Sequence, residues 1–344
     1  MKNKNIFKIN IIYFVAIMLV ALVFVLGYLQ VFTNDILTSF LIQVVVMFAI
    51  PLLMYSTLFK KKTKDALIDC GVKKISSKMI SISILLGVVL YFINSFVADA
   101  FAGIIYLFGY ESISSSTISL KYSTLLKEFV LSCILPGICE EFLHRGIMLH
   151  ANKKFNNTKF CLIISSILFG LMHLNIRQFF YATILGFLMG YVSLAADSII
   201  PSMIIHFMNN FLSNYLFYGS YLNWPFAKFV NFVTNIFTNN IIIYIITSII
   251  GVMLLLWLFQ YLTKQLLKER AQKDIRAILQ ALQVDEMTLI QAQIKLNEVN
   301  KLLKKTNDDK NKKTSFNFSS NIFLISSLVL GTLITISSFI WGVI

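Results

Sequence analysis

The sequence predicts an all-α membrane protein, a polytopic bundle of about eight to nine transmembrane helices. The chain is 57% hydrophobic and only 13% charged over 344 residues, which is far from the composition of a soluble domain. Its net charge of +14 would suggest nucleic-acid binding in a soluble protein, but here the lysines lie in short loops between apolar spans. The positive charge therefore indicates how the chain is oriented in the membrane. We expect contact with a lipid bilayer and none with nucleic acid.

The apolar stretches define the spans. Because a helix needs about 20 residues to cross a bilayer, each stretch of that length is a candidate. Seven stretches have about that length or more: residues 9–32, 36–59, 80–108, 125–149, 199–218, 241–262 and 322–344. Two shorter apolar stretches, 160–174 and 179–196, bring the number of candidate spans to nine. The first stretch exceeds 20 residues and lacks a small-residue cleavage site, so it is interpreted as an uncleaved span.

The basic residues set the predicted orientation. They cluster in residues 2–8, 60–78, 153–159 and 264–313, and all four clusters fall on one side if nine spans cross. This predicts a multi-pass protein of the cell membrane with a cytoplasmic N-terminus. The predicted division is N-terminal spans over 1–120, a catalytic core over 121–263, a basic amphipathic cytoplasmic segment over 264–318 and a final span over 319–344.

The segment 264–313 is the only sizeable hydrophilic region. Ile275, Ile278, Leu279 and Leu282 recur at helical spacing, so one or two amphipathic helices are expected, with a break near 284–286. A protein partner bound through a coiled coil, a helix on the anionic inner leaflet and a solvated linker all fit this pattern.

Three charges inside one apolar span mark the candidate active site. A charge at bilayer depth costs roughly 2.5–3.5 kcal/mol on insertion scales, so Glu140, Glu141 and Arg145 require partners. Residues four apart share a helix face, so Glu141 and Arg145 can pair while Glu140 points elsewhere and remains available for chemistry. Pro136 removes one backbone hydrogen bond and predicts a kink beside Glu140.

Two histidines reach the same predicted depth as Glu140. Measured at about 1.5 Å per residue from the nearest basic or polar turn, Glu140, His173 and His206 lie about 15, 20 and 12 Å deep. Asn210 lies four residues after His206 on the same helix face. The sequence therefore predicts that a carboxylate, two imidazoles and an amide converge in one layer of the bundle.

The motifs resemble the CAAX-protease-and-bacteriocin-processing family of intramembrane endopeptidases, also called the Abi family. The resemblance rests on Glu140-Glu141-xxx-Arg145, Phe169-xxx-His173 and His206-xxx-Asn210, in that order, over about a quarter of the chain. It implies peptide-bond hydrolysis, with Glu140 and His173 activating water and His206 with Asn210 binding the oxyanion. Glu141, Arg145 and Phe169 would support them, and the substrate would be a membrane-associated protein or a peptide precursor.

Other functions also fit the sequence. Relatives have also been viewed as metal-dependent, which would make Glu140, His173 and His206 zinc ligands. The chain has no HExxH pair, which favours a mechanism that requires no cofactor. A proton-coupled carrier would favour an inverted repeat, and none is found. A non-catalytic membrane scaffold or regulator, or a bacteriocin-immunity protein, could use the same fold.

Overall fold

The structure, a computed structural model, describes residues 2–31, 34–110, 122–230, 241–282 and 317–343. Every regular element in these ranges is a helix, so the predicted all-α class is confirmed. The longer helices and one short helix are α1 (Lys2–Tyr28), α2 (residues 35–59), α3 (Thr63–Asp69), α4 (Ser77–Leu107), α5 (residues 122–151), α6 (Thr158–Met172), α7 (Ile176–Ala196), α8 (Ile200–Leu222), α9 (Ile241–Leu282) and α10 (Phe318–Val343).

Several of these helices are long and apolar enough to span a membrane. By length and hydropathy, six candidate spans lie in the described residues: α1, α2, α4, α7, the part Ile249–Ala277 of α9, and α10. The apolar helix α6 is shorter, and α5 and α8 contain the polar groups of the candidate site. The protein is therefore a polytopic helix bundle, and the count of eight to nine crossings stays a prediction.

Local sequence signals explain where the helices begin and end. Asn157 caps α6 by accepting hydrogen bonds from the Lys159 and Phe160 amides. At the other end, α7 stops at Asp197, whose φ of 48° is left-handed, and α8 stops in the same way at Asn223. Aspartate and asparagine are among the few non-glycine residues that adopt this conformation readily. The turns assumed when the depths were measured are therefore present.

The start of the predicted hydrophilic segment is helical. The span expected to end at residue 262 continues without interruption as α9 to Leu282, through the start of the hydrophilic segment. The reason is that residues 264–282 contain no glycine or proline and are rich in Lys, Gln, Leu, Arg and Ala, which favour helix. The predicted break near 284–286 and the rest of the segment to 316 lie outside the described residues.

Two apolar cores flank the middle of the bundle. One joins α1, α2, the end of α5 and one face of α6, and the other joins α4, α7, α8 and α9. Neighbouring residues of α6 belong to different cores, since Leu168 packs in the first and Phe169 in the second. Outside the cores, large apolar side chains such as Phe24, Trp257 and Trp341 are exposed, as expected on a surface that faces lipid. The candidate site lies between the two cores.

The glycines of α7 allow close helix packing. A Cβ atom at Gly186 would lie 3.1 Å from the Phe169 ring, and one at Gly190 would lie 2.6 Å from Leu162. Both neighbours belong to α6, so the GxxxG spacing of α7 lets these two helices approach as small-residue motifs do in membrane proteins.

The basic loops meet at one end of the bundle. Asp69 pairs with Lys61 and Lys154, which belong to different loops. Asp197 gathers further cations: its carboxylate lies 2.5 Å from Lys73 Nζ and 3.1 Å from Lys153 Nζ. It also lies 3.9 Å from Arg270 and 4.0 Å from His150. Sequence clusters that were expected to share one side of the membrane are therefore in contact with one another.

The Asp197 cluster should make stability depend on pH. Burial alone would raise the pKa of Asp197, but hydrogen bonds and charge from Lys73 and Lys153 outweigh burial and lower the pKa to about 2. The unfolded value is about 3.9, so the carboxylate stabilises the fold above about pH 5, and this contribution is lost as the pH falls towards 2. We expect Asp197→Asn, which keeps a residue suited to the left-handed turn, to lower the thermal midpoint at pH 7.

The measurement is thermal unfolding in detergent at pH 7, 5 and 3 for wild type and Asp197→Asn. The difference between the two proteins should be full at pH 7 and should shrink as the pH falls. Asp274→Asn is the matched control, because Asp274 makes a more exposed ion pair with Arg270 and should contribute little. Equal midpoints of wild type and Asp197→Asn at pH 7 would contradict this account.

Candidate active site

Helix α5 changes its hydrogen-bond pattern just before Pro136, where the sequence predicts a kink. The stretch Phe129–Ile134 just before it is π-helical, and Leu135–Glu141 returns to α-helix. Pro136 has no N–H to donate to the Ser132 carbonyl four residues earlier. Asn210 on α8 instead donates its Nδ2 to that carbonyl at 2.9 Å. The predicted oxyanion donor therefore also satisfies the carbonyl that the proline leaves without its helical partner, and an amide nitrogen has a second hydrogen for another acceptor.

Glu141 and Arg145 form the predicted ion pair. Both side chains are fully buried, and Arg145 Nη1 donates to Glu141 Oε1 at 2.7 Å. The same carboxylate oxygen accepts a hydrogen bond from His206 Nδ1 at 3.0 Å. Arg145 Nη2 donates to the Gly186 carbonyl at 3.1 Å. Residues of α5, α7 and α8 are thus tied together by one charged network.

Glu140 points away from this pair, but it is not free of partners. Its side chain is half-buried, and its Oε1 accepts a hydrogen bond from Gln43 Nε2 of α2 at 2.7 Å. His144 lies four residues after Glu140 on the same helix. Its Nδ1 contacts the Glu140 backbone carbonyl at 2.8 Å, and its Nε2 lies 3.3 Å from the Tyr13 hydroxyl. The Glu140 carboxylate is thus oriented by Gln43.

His173 lies directly after α6, in a strained turn. Its Nδ1 donates to the Phe169 carbonyl at 2.9 Å, so the neutral ring keeps its lone pair on Nε2. The next residue, Leu174, has a φ of 52°, a conformation that costs roughly 1–3 kcal/mol and persists only where the surroundings enforce it. Leu174 packs in the first core, and the Ile176 N–H that follows donates to Ser338 Oγ of α10 at 2.8 Å.

The Phe169 ring contacts three histidine rings and the guanidinium group of Arg145. Its ring meets His144, His173 and His206 edge to face, at centroid distances of 5.1, 5.1 and 5.6 Å. Arg145 Cζ lies 4.3 Å from the same ring centroid, which is a cation–π contact. One aromatic side chain therefore sets the spacing between the ion pair and the imidazoles.

The predicted site residues surround one cavity. Glu140, His173, His206 and Asn210 all line a cavity of about 680 Å³, so the four side chains converge although they come from three parts of the chain. A second cavity of about 230 Å³ is lined by Glu140, His173 and Gln43 together with apolar residues of α1 and α2. Glu140 and His173 thus lie where the two cavities adjoin.

Sequence reasoning missed some of the residues at this cavity. Gln43 is one of the few polar side chains in an otherwise apolar span, which is the signal that could have marked it. Asn94 and Asp99 of α4 also line the large cavity, and neither is among the predicted site residues. Asn94 Nδ2 also lies 3.4 Å from Asn209 Oδ1 on α8.

The arrangement does not favour the zinc alternative. Among the residues that the structure describes, no three His, Cys, Asp or Glu side chains are grouped so that they could hold one metal ion. The proposed reaction therefore uses only water and side chains of the protein.

The fold and the site define a class of protein: a polytopic helix bundle with an internal cavity that is lined by a carboxylate and two imidazoles. The family model described as Rce1-like, type II CAAX prenyl endopeptidase, matches residues 122–212. This match, over about a quarter of the chain, confirms the resemblance that the motifs indicated. No curated protein and no solved structure matches the chain.

The buried ion pair leads to a test of stability. Removing one partner of a buried pair leaves an uncompensated charge and typically costs about 3–5 kcal/mol. We expect Arg145→Met to lower the free energy of unfolding by that amount, because the buried Glu141 carboxylate would lose its cationic partner. The double variant Glu141→Gln/Arg145→Met removes both charges and should recover part of the loss.

Denaturant unfolding in detergent measures both variants. Arg276→Met is the control, since this arginine is mostly exposed and its ion pair with Glu269 should contribute little. If Arg145→Met unfolds at the same denaturant concentration as wild type, the charged network does not have the structural role given to it here.

Proposed function

We propose that the protein is an intramembrane endopeptidase that hydrolyses a peptide bond in a membrane-associated protein or peptide precursor. The observation that supports it best is the convergence of Glu140, His173, His206 and Asn210 on one cavity, with the Nδ1 of each histidine already bonded to the protein. Each ring therefore has Nε2 left for a water or a substrate. The family match over residues 122–212 supports peptidase chemistry independently of this geometry.

In the proposed reaction, Glu140 and His173 activate water. The Glu140 oxygen that Gln43 does not bind accepts a proton from the water, while His173 Nε2 accepts a hydrogen bond and orients it. The hydroxide oxygen attacks the carbonyl carbon and forms a tetrahedral oxyanion. When the C–N bond breaks, Glu140 returns its proton to the leaving amine, so protons balance over the cycle.

His206 and Asn210 are proposed to stabilise the oxyanion. With Nδ1–H donated to Glu141, His206 can donate through Nε2 only as an imidazolium, and the Glu141 carboxylate stabilises that cation. The Asn210 hydrogen that does not bind the Ser132 carbonyl supplies the second donor. Donors fixed before the reaction stabilise a developing charge without a reorganisation cost.

The location and the partners are proposed on the same basis. The contacts among the basic loops support one shared end of the bundle, and the positive-inside rule places that end in the cytoplasm with the N-terminus. The substrate would enter from the same side. A protein partner bound through residues 264–313 remains a proposal, because most of that segment lies outside the described residues.

The first experiment tests the base and the histidine that orients water. Purified protein is incubated with a library of candidate peptides, and products are identified by mass spectrometry. We expect Glu140→Gln and His173→Ala each to lower kcat by about 10²- to 10⁴-fold, the usual contribution of acid–base groups. Cleavage by the wild type should be insensitive to a chelator.

Glu128→Gln is the matched control, since it makes the same chemical change earlier in α5, outside the large cavity. If the Glu140→Gln and His173→Ala variants both cleave the peptide at the wild-type rate, the assignment is refuted. A wild type that cleaves nothing, with a cellular phenotype unchanged by Glu140→Gln, would favour the scaffold alternative.

A second experiment tests the oxyanion donor. We expect His206→Gln to lower kcat by about 10²- to 10³-fold with little change in KM, because the donor acts on charge that develops in the transition state. Steady-state kinetics on the best-cleaved peptide give both constants. A rise in KM at unchanged kcat would instead assign His206 to ground-state binding.

A further inference from the structure

Gln43 contacts the proposed base from outside the segment that the family model matches. It lies in the π-helical stretch Leu41–Ala49 of α2, whereas the match covers residues 122–212. Its Nε2 donates to Glu140 Oε1 at 2.7 Å across 97 residues of chain. Short π-helical stretches within α-helices are frequent at functional sites, which fits this placement.

The other half of the Gln43 amide has no partner. Its Oε1 is buried and accepts no hydrogen bond among the described residues. A buried acceptor left unsatisfied is unfavourable, and native proteins tolerate few of them. Gln43 also lines both cavities that adjoin Glu140, so its side chain lies beside the space that a substrate would occupy.

A peptide substrate offers the group that this acceptor lacks. Each non-proline residue of an extended peptide has a backbone N–H that needs an acceptor when it leaves water. Because a primary amide is a donor at one atom and an acceptor at another, Gln43 can bind Glu140 and a substrate N–H at the same time. The two contacts would fix the base relative to the peptide backbone.

We infer that Gln43 is a positioning residue for Glu140 and a direct contact for the substrate backbone. The inference rests on the proposed function: Nε2 orients the carboxylate, and Oε1 accepts a backbone N–H next to the scissile bond. This contact recognises any peptide backbone, so it aligns the chain for hydrolysis and leaves side-chain selection to other parts of the cavity.

The test combines a protein variant with a change in one substrate atom. Gln43→Met keeps the length and approximate volume of the side chain and removes both hydrogen-bonding groups. The probes are the best-cleaved library peptide and a series of its analogues in which one backbone amide flanking the scissile bond is replaced by an ester. Each replacement removes a single N–H. All proteins are full-length and purified in the same detergent.

We expect Gln43→Met to lower kcat on the parent peptide by about 10- to 100-fold, since a charge-assisted hydrogen bond to the base is lost. For the wild type, one ester position should lower kcat/KM by about 3- to 10-fold. For Gln43→Met the same ester should have no effect, because non-additivity of the two changes reports a direct contact.

Gln260→Met, at an exposed glutamine of α9, controls for the substitution itself and should match wild type. A thermal midpoint of Gln43→Met near that of wild type would show that the fold is intact. If wild type and Gln43→Met lose the same factor at every ester position, or if Gln43→Met has wild-type kcat, the inference is overturned while the proposed function stands. If the wild type cleaves no peptide, both fail together.

Discussion

The buried contact between Glu141 and Arg145 is the interaction on which the rest of the site depends. Two opposite charges at zero exposure are tolerable only because they are 2.7 Å apart and because His206 and the Gly186 carbonyl satisfy further groups. This requirement ties α5 to α7 and α8. It also fixes the rotation of α5 about its axis, so the preceding residue, Glu140, must face a different direction from Glu141.

Much of this geometry could be predicted from spacing alone. The i,i+4 relation predicted the Glu141–Arg145 pair, and a rise of about 1.5 Å per residue brought His173 and His206 to the depth of Glu140. Both rules act within one helix, and the turns at Asn157 and Asp197 are where the estimate required them. Spacing rules are sufficient where two residues belong to one helix, because the helix fixes the distance between them.

The remaining contacts are tertiary, which is why the sequence did not predict them. Gln43 reaches Glu140 only because α2 packs beside α5, and no spacing rule relates residues 97 positions apart. The same holds for Asn210, which donates to a carbonyl released by a proline on another helix. Helix α9 continues past residue 262 for a different reason, since a fall in hydropathy marks where a helix becomes polar and does not mark where it ends.

The family segment does not form the site alone. Beyond Gln43 of α2, Ser338 of α10 accepts the N–H of Ile176 and so supports the strained turn after His173. Helix α10 is in turn fixed to α1 by Asn10, whose Nδ2 donates to the Ser320 carbonyl at 3.0 Å. Residues outside 122–212 therefore orient the Glu140 carboxylate and support the turn that follows His173.

The proposed hydrolysis requires water inside the bundle, and the large cavity has room for it. Its volume of about 680 Å³ far exceeds the roughly 30 Å³ that one water occupies in the liquid. Amide and carboxylate side chains such as Asn94, Asp99 and Asn209 line its walls, and a polar cavity holds water where an apolar one stays dry. The two apolar cores on either side exclude water elsewhere in the bundle. The same separation into two cores that stabilises the fold thus confines water to the place where Glu140 and His173 can use it.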